Sequence, residues 1–371
     1  MELANIRSLT FSGKSGKYNQ AGWRGKVPTY LQARKLSSVI VDDFLCVDLE
    51  ENNKELLDWY LQNDFELIPI CRRAHPSDSS KPVVDDFPKR VLLELTSWCN
   101  LNCVMCPRTV LERKIMHMPK ELALKCINEL SEYGIQGLWL YNIGESMLHP
   151  DFTEILDYCE TKETLGSTWL STNGQRLLDH HAKKIIGSKL TFLNFSLNAL
   201  NAESYAKISP AGKYEFLRAN LEKLFSEKQR QNRMGKTPWL RVQMIDQPQI
   251  ANSDIDTFFD TFGRRTEIVG INRLEAFSKD VEQNISHATL RARSNFKQCN
   301  RVSRGDCFIF ADGEVSFCDT DFNHKMSLGN IIRKSIKEVW NSGFRQEVIS
   351  LNKSGKLKDL ELCKDCLDYD L

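Results

Sequence analysis

ELTSWCNLNCVMCPR, residues 94–108, places three cysteines within eight positions: Cys99, Cys103 and Cys106. The stretch overlaps RVLLELT (90–96), an apolar run of strand length, so the cysteines sit on the loop that follows a strand. Thiols gathered this closely bind a metal or an iron–sulfur cluster. A structural zinc site usually takes four protein ligands; only three lie close together here, with His117 as a further candidate. Three thiolates on a cubane leave one iron open to a substrate or cofactor.

The rest of the chain narrows the choice. Its 371 residues suffice for two or three domains with a sizeable core. Fifty Lys and Arg against 49 Asp and Glu leave a formal net charge of +1, without the basic excess of a dedicated nucleic-acid binder. No apolar run is long enough to span a bilayer, and the opening MELANIRSLTFSGKSGK lacks a signal peptide's hydrophobic segment. A cytoplasmic protein without a membrane or nucleic-acid partner is expected. In a reducing compartment, closely spaced cysteines are ligands or catalytic groups more often than disulfides. Of the twelve, Cys46, Cys71, Cys126 and Cys159 are scattered among apolar neighbours and read as core residues. The other eight gather near two places.

Residues 1–88 form an N-terminal accessory region: a strand or hairpin at 37–49, a helix at 52–62, a strand at 65–70 and a polar linker at 75–82. GKSGK (13–17) lacks the leading glycine of a phosphate-binding loop, because position 8 is Ser8, and reads as a mobile basic terminus. Residues 89–290 alternate strands with helices. Strands are expected at 90–96, 136–142, 167–172, 190–197, 240–245 and 267–271, and helices at 118–134, 149–160 and 213–231. Six strands with intervening helices make an α/β fold, a parallel sheet curled into a partial (β/α)6 TIM-like barrel, with chemistry on the loops after the strands. Residues 291–371 read as a small separate unit, with a hairpin at 308–318 turning on Asp312-Gly313 and a helix at 335–344.

Cys99-x3-Cys103-x2-Cys106 resembles the cluster motif of radical S-adenosylmethionine (SAM) enzymes. The resemblance implies a [4Fe–4S] cluster whose open iron chelates SAM, and reductive cleavage to a 5′-deoxyadenosyl radical that takes a hydrogen from substrate. YNIGESMLHP (141–150) is similar to the family's Gly-Gly-Glu-Pro segment: Gly144 and Glu145 match, while Ile143 and Ser146 replace Gly and Pro. STNG (171–174), with Ser171 and Asn173, matches a segment lining the SAM pocket. Ser196 and Asn198 stand where the family places ribose or carboxylate contacts, and Met105 where it carries an aromatic residue beside the cofactor.

The second group, Cys299, Cys318, Cys363 and Cys366, resembles the auxiliary-cluster domain called a twitch, a reduced SPASM domain. It implies one auxiliary [4Fe–4S] cluster, since five residues follow Cys366 and the longer form needs more cysteines. Cys307 is a spare that either replaces Cys299 or faces the hairpin core, and LGN (328–330) and VW (339–340) also agree with that family. A four-cysteine zinc site and a thiol hydrogen donor are the competing readings of this group.

The resemblance implies an oxidoreductase-type enzyme served by a reductase or flavodoxin-type electron donor. Its first expected reaction is two-electron oxidation of a sugar- or cyclitol-type small molecule. The second is maturation of a ribosomally made peptide by crosslinking or epimerisation, with residues 1–88 capturing the precursor by strand addition rather than capping the barrel. A non-catalytic, zinc-stapled binding protein is the third reading. Arg108, Arg241, Arg273 and Glu275 lie near strand ends as candidate substrate contacts.

Overall fold

The structure, a computed structural model, describes residues 8–11, 38–41, 44–48, 86–247, 249–262, 265–273, 299, 301–302, 305–364 and 366. The expected helix at 52–62, strand at 65–70, linker at 75–82 and the GKSGK stretch lie outside the described residues. In chain order the elements are β1 (Ser8–Phe11), β2 (Ser38–Val41), β3 (Phe44–Asp48), β4 (Arg90–Leu93), α1 (Lys120–Tyr133) and β5 (Gly137–Trp139). Then follow α2 (Phe152–Glu160), β6 (Ser167–Thr172), α3 (Asp179–Gly187), β7 (Phe192–Ser196), α4 (Ala202–Ile208), α5 (Tyr214–Arg230) and β8 (Trp239–Asp246). The chain continues through α6 (Asn252–Phe262), β9 (Ile268–Arg273), β10 (Asp306–Ile309), β11 (Glu314–Ser316) and β12 (Gly329–Asn330) to α7 (Ile336–Trp340), α8 (Gly343–Lys353) and α9 (Glu361–Lys364).

Six strands, β4 to β9, pair in parallel and in sequence order, as the alternation of strand and helix requires. One face of each strand carries aliphatic residues such as Leu138, Leu170, Leu193 and Leu240, which join Ile127, Ile155, Ile185 and Leu221 of the helices in the main core. The opposite face lines the inside of the curl. There Trp139, Trp169, Phe192 and Trp239 stand at matched registers on β5 to β8. Ring centroids 5.6, 3.9 and 5.2 Å apart make them a continuous aromatic floor.

The sheet runs past the barrel at both ends. Among the described residues twelve strands join in the order β1-β3-β2-β9-β8-β7-β6-β5-β4-β10-β11-β12. The expected hairpin at 37–49 is β2 and β3, and β2 pairs in parallel with β9, covering the last barrel strand's edge. Ser8–Phe11, for which the sequence suggests no element, is a strand paired to β3. The C-terminal hairpin is not detached from the barrel, because β10 pairs in parallel with β4 from Asp306↔Arg90 to Ile309↔Leu93. Buried ion pairs stand at both ends of that joint: Arg90 with Asp306 at 2.9 Å, and Glu94 with Arg113 at 2.6 Å. The helix expected at 335–344 is two. Ser335 and Glu338 form a capping box on α7, and Ser342 starts α8 by accepting from the Arg345 amide, so Asn341-Ser342 ends one helix and caps the next.

The hairpin turn is pinned by His324, whose Nε2 lies 3.1 Å from Asp312 Oδ2. That hydrogen bond raises the His324 pKa above its ordinary value. The pair therefore stabilises fully below about pH 6.5 and its contribution is lost as pH rises through the raised value. His324→Gln is expected to lower the unfolding midpoint at pH 6 and to differ little from the parent at pH 9. An equal loss at both values counts against the ion pair.

Candidate cluster and cofactor site

The cysteine loop leaves β4 and folds into a tight turn, with the Cys106 amide donating to Cys103 O at 3.0 Å and Thr109 to Cys106 O at 3.4 Å. All three cysteines are free and partly accessible. Cys99 Sγ faces the Leu101 amide at 3.5 Å, and Cys103 Sγ lies 3.0 Å from Ser209 Oγ, at the end of α4. Val104 N donates to Ile208 O at 2.9 Å, which fixes that side of the loop. Burial pushes the Cys99 thiol up to about 11 and the Cys106 thiol up to about 12, and raises Cys103 as well. The Arg108 guanidinium opposes this at all three, favouring thiolates, and its Nη2 donates to Leu101 O at 2.8 Å. Arg108 is therefore part of the cysteine loop's own support. Neither Ser209 nor Ile208 carries a signal in sequence, since both act across about a hundred residues of chain.

Gly144 and Glu145 lock the next loop against this one. A Cβ on Gly144 would lie 1.9 Å from Thr96 O and 2.8 Å from Trp98 O, both backbone atoms, so only glycine allows the approach. The Glu145 amide donates to Trp98 O at 2.8 Å. Its carboxylate is buried and accepts from Thr172 Oγ1 at 3.1 Å and from the Asn173 amide at 2.7 Å. Burial pushes Glu145 up to about 7. Asn173 Nδ2 reaches Asn100 Oδ1 at 3.1 Å and Cys99 Sγ at 3.5 Å, so the ends of β4, β5 and β6 form one connected network.

The two departures from the family segment have partners. Ser146 Oγ donates to Leu140 O at 2.5 Å. Ile143 packs on Phe322 of the C-terminal unit, beside Cys106, Val110 and Leu111.

Met105 is buried in the main core. Ser171 Oγ accepts from Asn194 Nδ2 at 3.0 Å. Ser196 is half-buried at the end of β7, and Asn198 holds a left-handed φ of 58° with Oδ1 buried and, among the described residues, without a hydrogen-bond partner. Among the described residues none of Ser171, Ser196 and Asn198 is hydrogen-bonded to the cysteine loop. Arg241 is buried on β8, register-matched to Asn194, and lies over Gly270, where a Cβ would come within 2.7 Å of its Nε. Arg273 closes β9, and Glu275 lies outside the described residues. The His117 ring stands 6.3 Å from Trp98 and 5.4 Å from His149, in an aromatic group rather than a cysteine one.

In the C-terminal unit Cys318 is buried beside Cys299, and its Sγ lies 3.0 Å from Thr320 Oγ1. Asn352 of α8 clamps Cys299 from both sides, accepting from its amide at 2.7 Å and donating to its carbonyl at 3.1 Å. The Cys366 amide donates to Cys363 O at 3.4 Å, closing the C-x2-C turn. Cys307 is fully buried on β10 and its charged or titratable neighbours are Arg345, Cys126 and Asp306. Cys126 and Cys159 are buried on α1 and α2 as expected, whereas Cys71 lies outside the described residues.

Among the described residues no group of three or more His, Cys, Asp or Glu is placed to hold a metal ion. A cubane asks for a wider set than zinc does, because each thiolate binds its own iron. The donors fit such a cluster: three half-buried cysteines on one loop, an arginine favouring thiolates, and N–H groups turned to Cys99 Sγ. The Gly144 backbone cradle and the orphaned Asn198 oxygen fit a polar cofactor alongside.

Comparison with known proteins agrees. The family model of the Radical SAM superfamily matches residues 93–235, and that of an iron–sulfur cluster-binding domain, SPASM, matches 299–367. A Methanococcus maripaludis protein named "Probable GTP 3′,8-cyclase" is 31% identical over 156 residues, 41% of this chain and 48% of that protein. The mycofactocin maturase MftC of Mycolicibacterium smegmatis is 32% identical over 142 residues, 38% of this chain and 35% of that one. The matches thus span about half or less of these relatives. In structure, Streptococcus suis SuiB bound to precursor peptide SuiA covers 76% of this chain and 75% of its own at TM-score 0.59 and 14% identity. BtrN in complex with AdoMet and 2-DOIA covers 76% and 94% at TM-score 0.50 and 18% identity. At such identities the likeness establishes the fold alone.

Proposed function

This chain belongs to the radical SAM superfamily and ends in a SPASM-type iron–sulfur domain, and on that footing we propose that it oxidises a small hydroxylated substrate held inside the barrel. It is an enzyme whose cofactors are a [4Fe–4S] cluster, SAM and an auxiliary iron–sulfur cluster, so the zinc-stapled binding protein is set aside. When bound, these groups supply a hydrogen-abstracting radical and an acceptor for a second electron. Cys99, Cys103 and Cys106 would hold the first cluster, and Cys299, Cys318, Cys363 and Cys366 the second. Gly144, Glu145 and Asn173 would shape the SAM site, with Met105, Ser171, Ser196 and Asn198 as further candidates. A flavodoxin-type reductase would supply electrons, and a cytoplasmic setting suits such chemistry.

One observation carries the substrate class. Directly above the aromatic floor, one residue pair along the strands, Ser171, Asn194 and Arg241 form a polar tier at matched registers. Among the described residues Asn194 Oδ1 in that tier is buried with no hydrogen-bond partner. A buried acceptor left unmade costs about 1–3 kcal/mol, which a substrate hydroxyl would recover. The tier lies one pair, about 7 Å, below the Asn173 and Ser196 level and hence below the cysteine loop. A polar tier above a floor of four aromatic rings suits a compact ring better than a threaded peptide.

The peptide-maturase reading has its own support. Among the described residues the N-terminal hairpin extends the sheet from β9 and β1 is the last strand on that side, an edge for strand addition. Anaerobic reconstitution with SAM and reductant, followed by mass spectrometry, tests the two. Loss of two hydrogens from a sugar or cyclitol supports the first reading. Turnover of a peptide alone, whether a crosslink or a mass-neutral epimerisation, overturns it. Asn194→Leu is expected to weaken substrate binding roughly tenfold while leaving substrate-independent SAM cleavage intact. Deleting residues 1–85 is expected to cost solubility by exposing β9. A soluble truncation that loses only peptide turnover favours the maturase.

A further inference from the structure

Glu94 stands five positions before Cys99, and Arg113 seven after Cys106. Their side chains meet at 2.6 Å and are 0% and 2% exposed. Each also reaches the C-terminal unit on its own account. Arg113 Nε donates to Phe322 O at 2.7 Å, and the guanidinium lies 4.7 Å from the centre of the Phe310 ring. Glu94 Oε1 accepts from the Ala311 amide at 3.2 Å. Phe310 and Ala311 precede Cys318, and Phe322 follows it by four positions. Three outer contacts repeat the link: the Glu112 amide to Asn323 Oδ1 at 2.9 Å, Asn323 Nδ2 to Val110 O at 3.4 Å, and Lys325 to Glu112 at 3.3 Å.

We propose that Glu94 and Arg113 are positioning residues whose ion pair clamps both shoulders of the Cys99–Cys106 loop to both shoulders of Cys318, setting the separation of the two cysteine sets. A buried ion pair is a poor source of stability, because the cost of desolvating two charges offsets their attraction. This one is also incompletely satisfied, with Arg113 Nη1 buried and, among the described residues, lacking a hydrogen-bond partner. What its directed bonds do supply is register. The β10–β4 ladder fixes the strands, but beyond its end apolar packing such as Ile143 on Phe322 is non-directional, whereas six polar atoms joined in three hydrogen bonds hold the loops at set distances. The consequence for electron transfer rests on the relay reading above; the clamp itself does not.

The test uses reconstituted holoprotein carrying Arg113→Met, Arg113→Lys or the double change E94Q/R113M. Amide exchange is measured over residues 110–117 and 319–326, and the magnetic interaction between the two reduced clusters by electron paramagnetic resonance. Arg113→Met is expected to keep roughly eight irons, to raise exchange in both segments about tenfold, and to weaken or spread the magnetic interaction. Arg113→Lys should restore part of both. The double change, which removes the stranded charge but not the need for directed bonds, should behave like Arg113→Met. A fully loaded Arg113→Met protein with the parent's magnetic interaction overturns the proposal. So does full recovery in the double change, or failure of all three to fold, since either makes the pair a stability element only. A parent enzyme whose second cluster never takes the substrate's electron would sink the relay reading and leave the exchange result standing.

Discussion

Cys103→Ala protein, prepared without oxygen, is expected to lose SAM cleavage by a factor of at least about a thousand while keeping roughly four of eight irons. Cys103 cannot be replaced from nearby. Among the described residues the side chain at its sulfur is Ser209, 3.0 Å away, a hydroxyl that is a poor ligand for iron beside thiolates. His117 is held in the Trp98 and His149 group and does not stand in for it. The four iron atoms that remain belong to the C-terminal unit, whose cysteines are supported separately by Asn352, Thr320 and the C-x2-C turn. The reciprocal Cys318→Ala change should spare SAM cleavage and abolish product. If 5′-deoxyadenosine still forms in Cys103→Ala at the parent's rate, the assignment of the triplet fails.

The parts that were legible in the sequence share one property: their signal is local. The triplet, the Asn173-Gly174 turn, the Asp312-Gly313 hairpin and the amphipathic run of α1 each declare themselves within a few residues. What escaped acts across the sheet. Trp139, Trp169, Phe192 and Trp239 stand next to Leu138, Leu170, Leu193 and Leu240 of the opposite face, so hydrophobicity at that level cannot tell the inside of a curl from its outside. No local pattern marks Glu94 and Arg113, and they come together only where β10 pairs with β4 and encloses them. Ile143 looked like a defect in the glycine segment, and only the fold brings Phe322 against it. Strand lengths erred for a related reason: QGLWLYN pairs only over Gly137–Trp139, because Tyr141 to Gly144 must leave the ladder for Gly144 to approach the cysteine loop.

That approach sets up the other large effect. Gly144→Ala places a methyl group 1.9 Å from Thr96 O, 2.7 Å from Thr96 C and 2.8 Å from Trp98 O. All three are main-chain atoms of the segment that delivers Cys99, so no side-chain rotamer relieves the clash. Either the loop of Gly144 lifts away, breaking the Glu145-to-Trp98 hydrogen bond, or the cysteine loop yields. Both pull Asn173 from Cys99, because Glu145 holds the Asn173 amide. Overpacking against backbone of this kind costs several kcal/mol, about a hundredfold or more in any step that needs the site intact. SAM cleavage is therefore expected to fall at least a hundredfold, with the C-terminal cluster retained. Gly343→Ala is the matched control: nothing among the described residues lies within 4 Å of its added methyl, and alanine suits the start of α8. It should bind SAM and iron as the parent does and unfold at the same temperature or slightly higher. Equal SAM cleavage by the two variants would show that the Gly144 loop tolerates displacement, and the cofactor site would have to be sought elsewhere on the barrel rim.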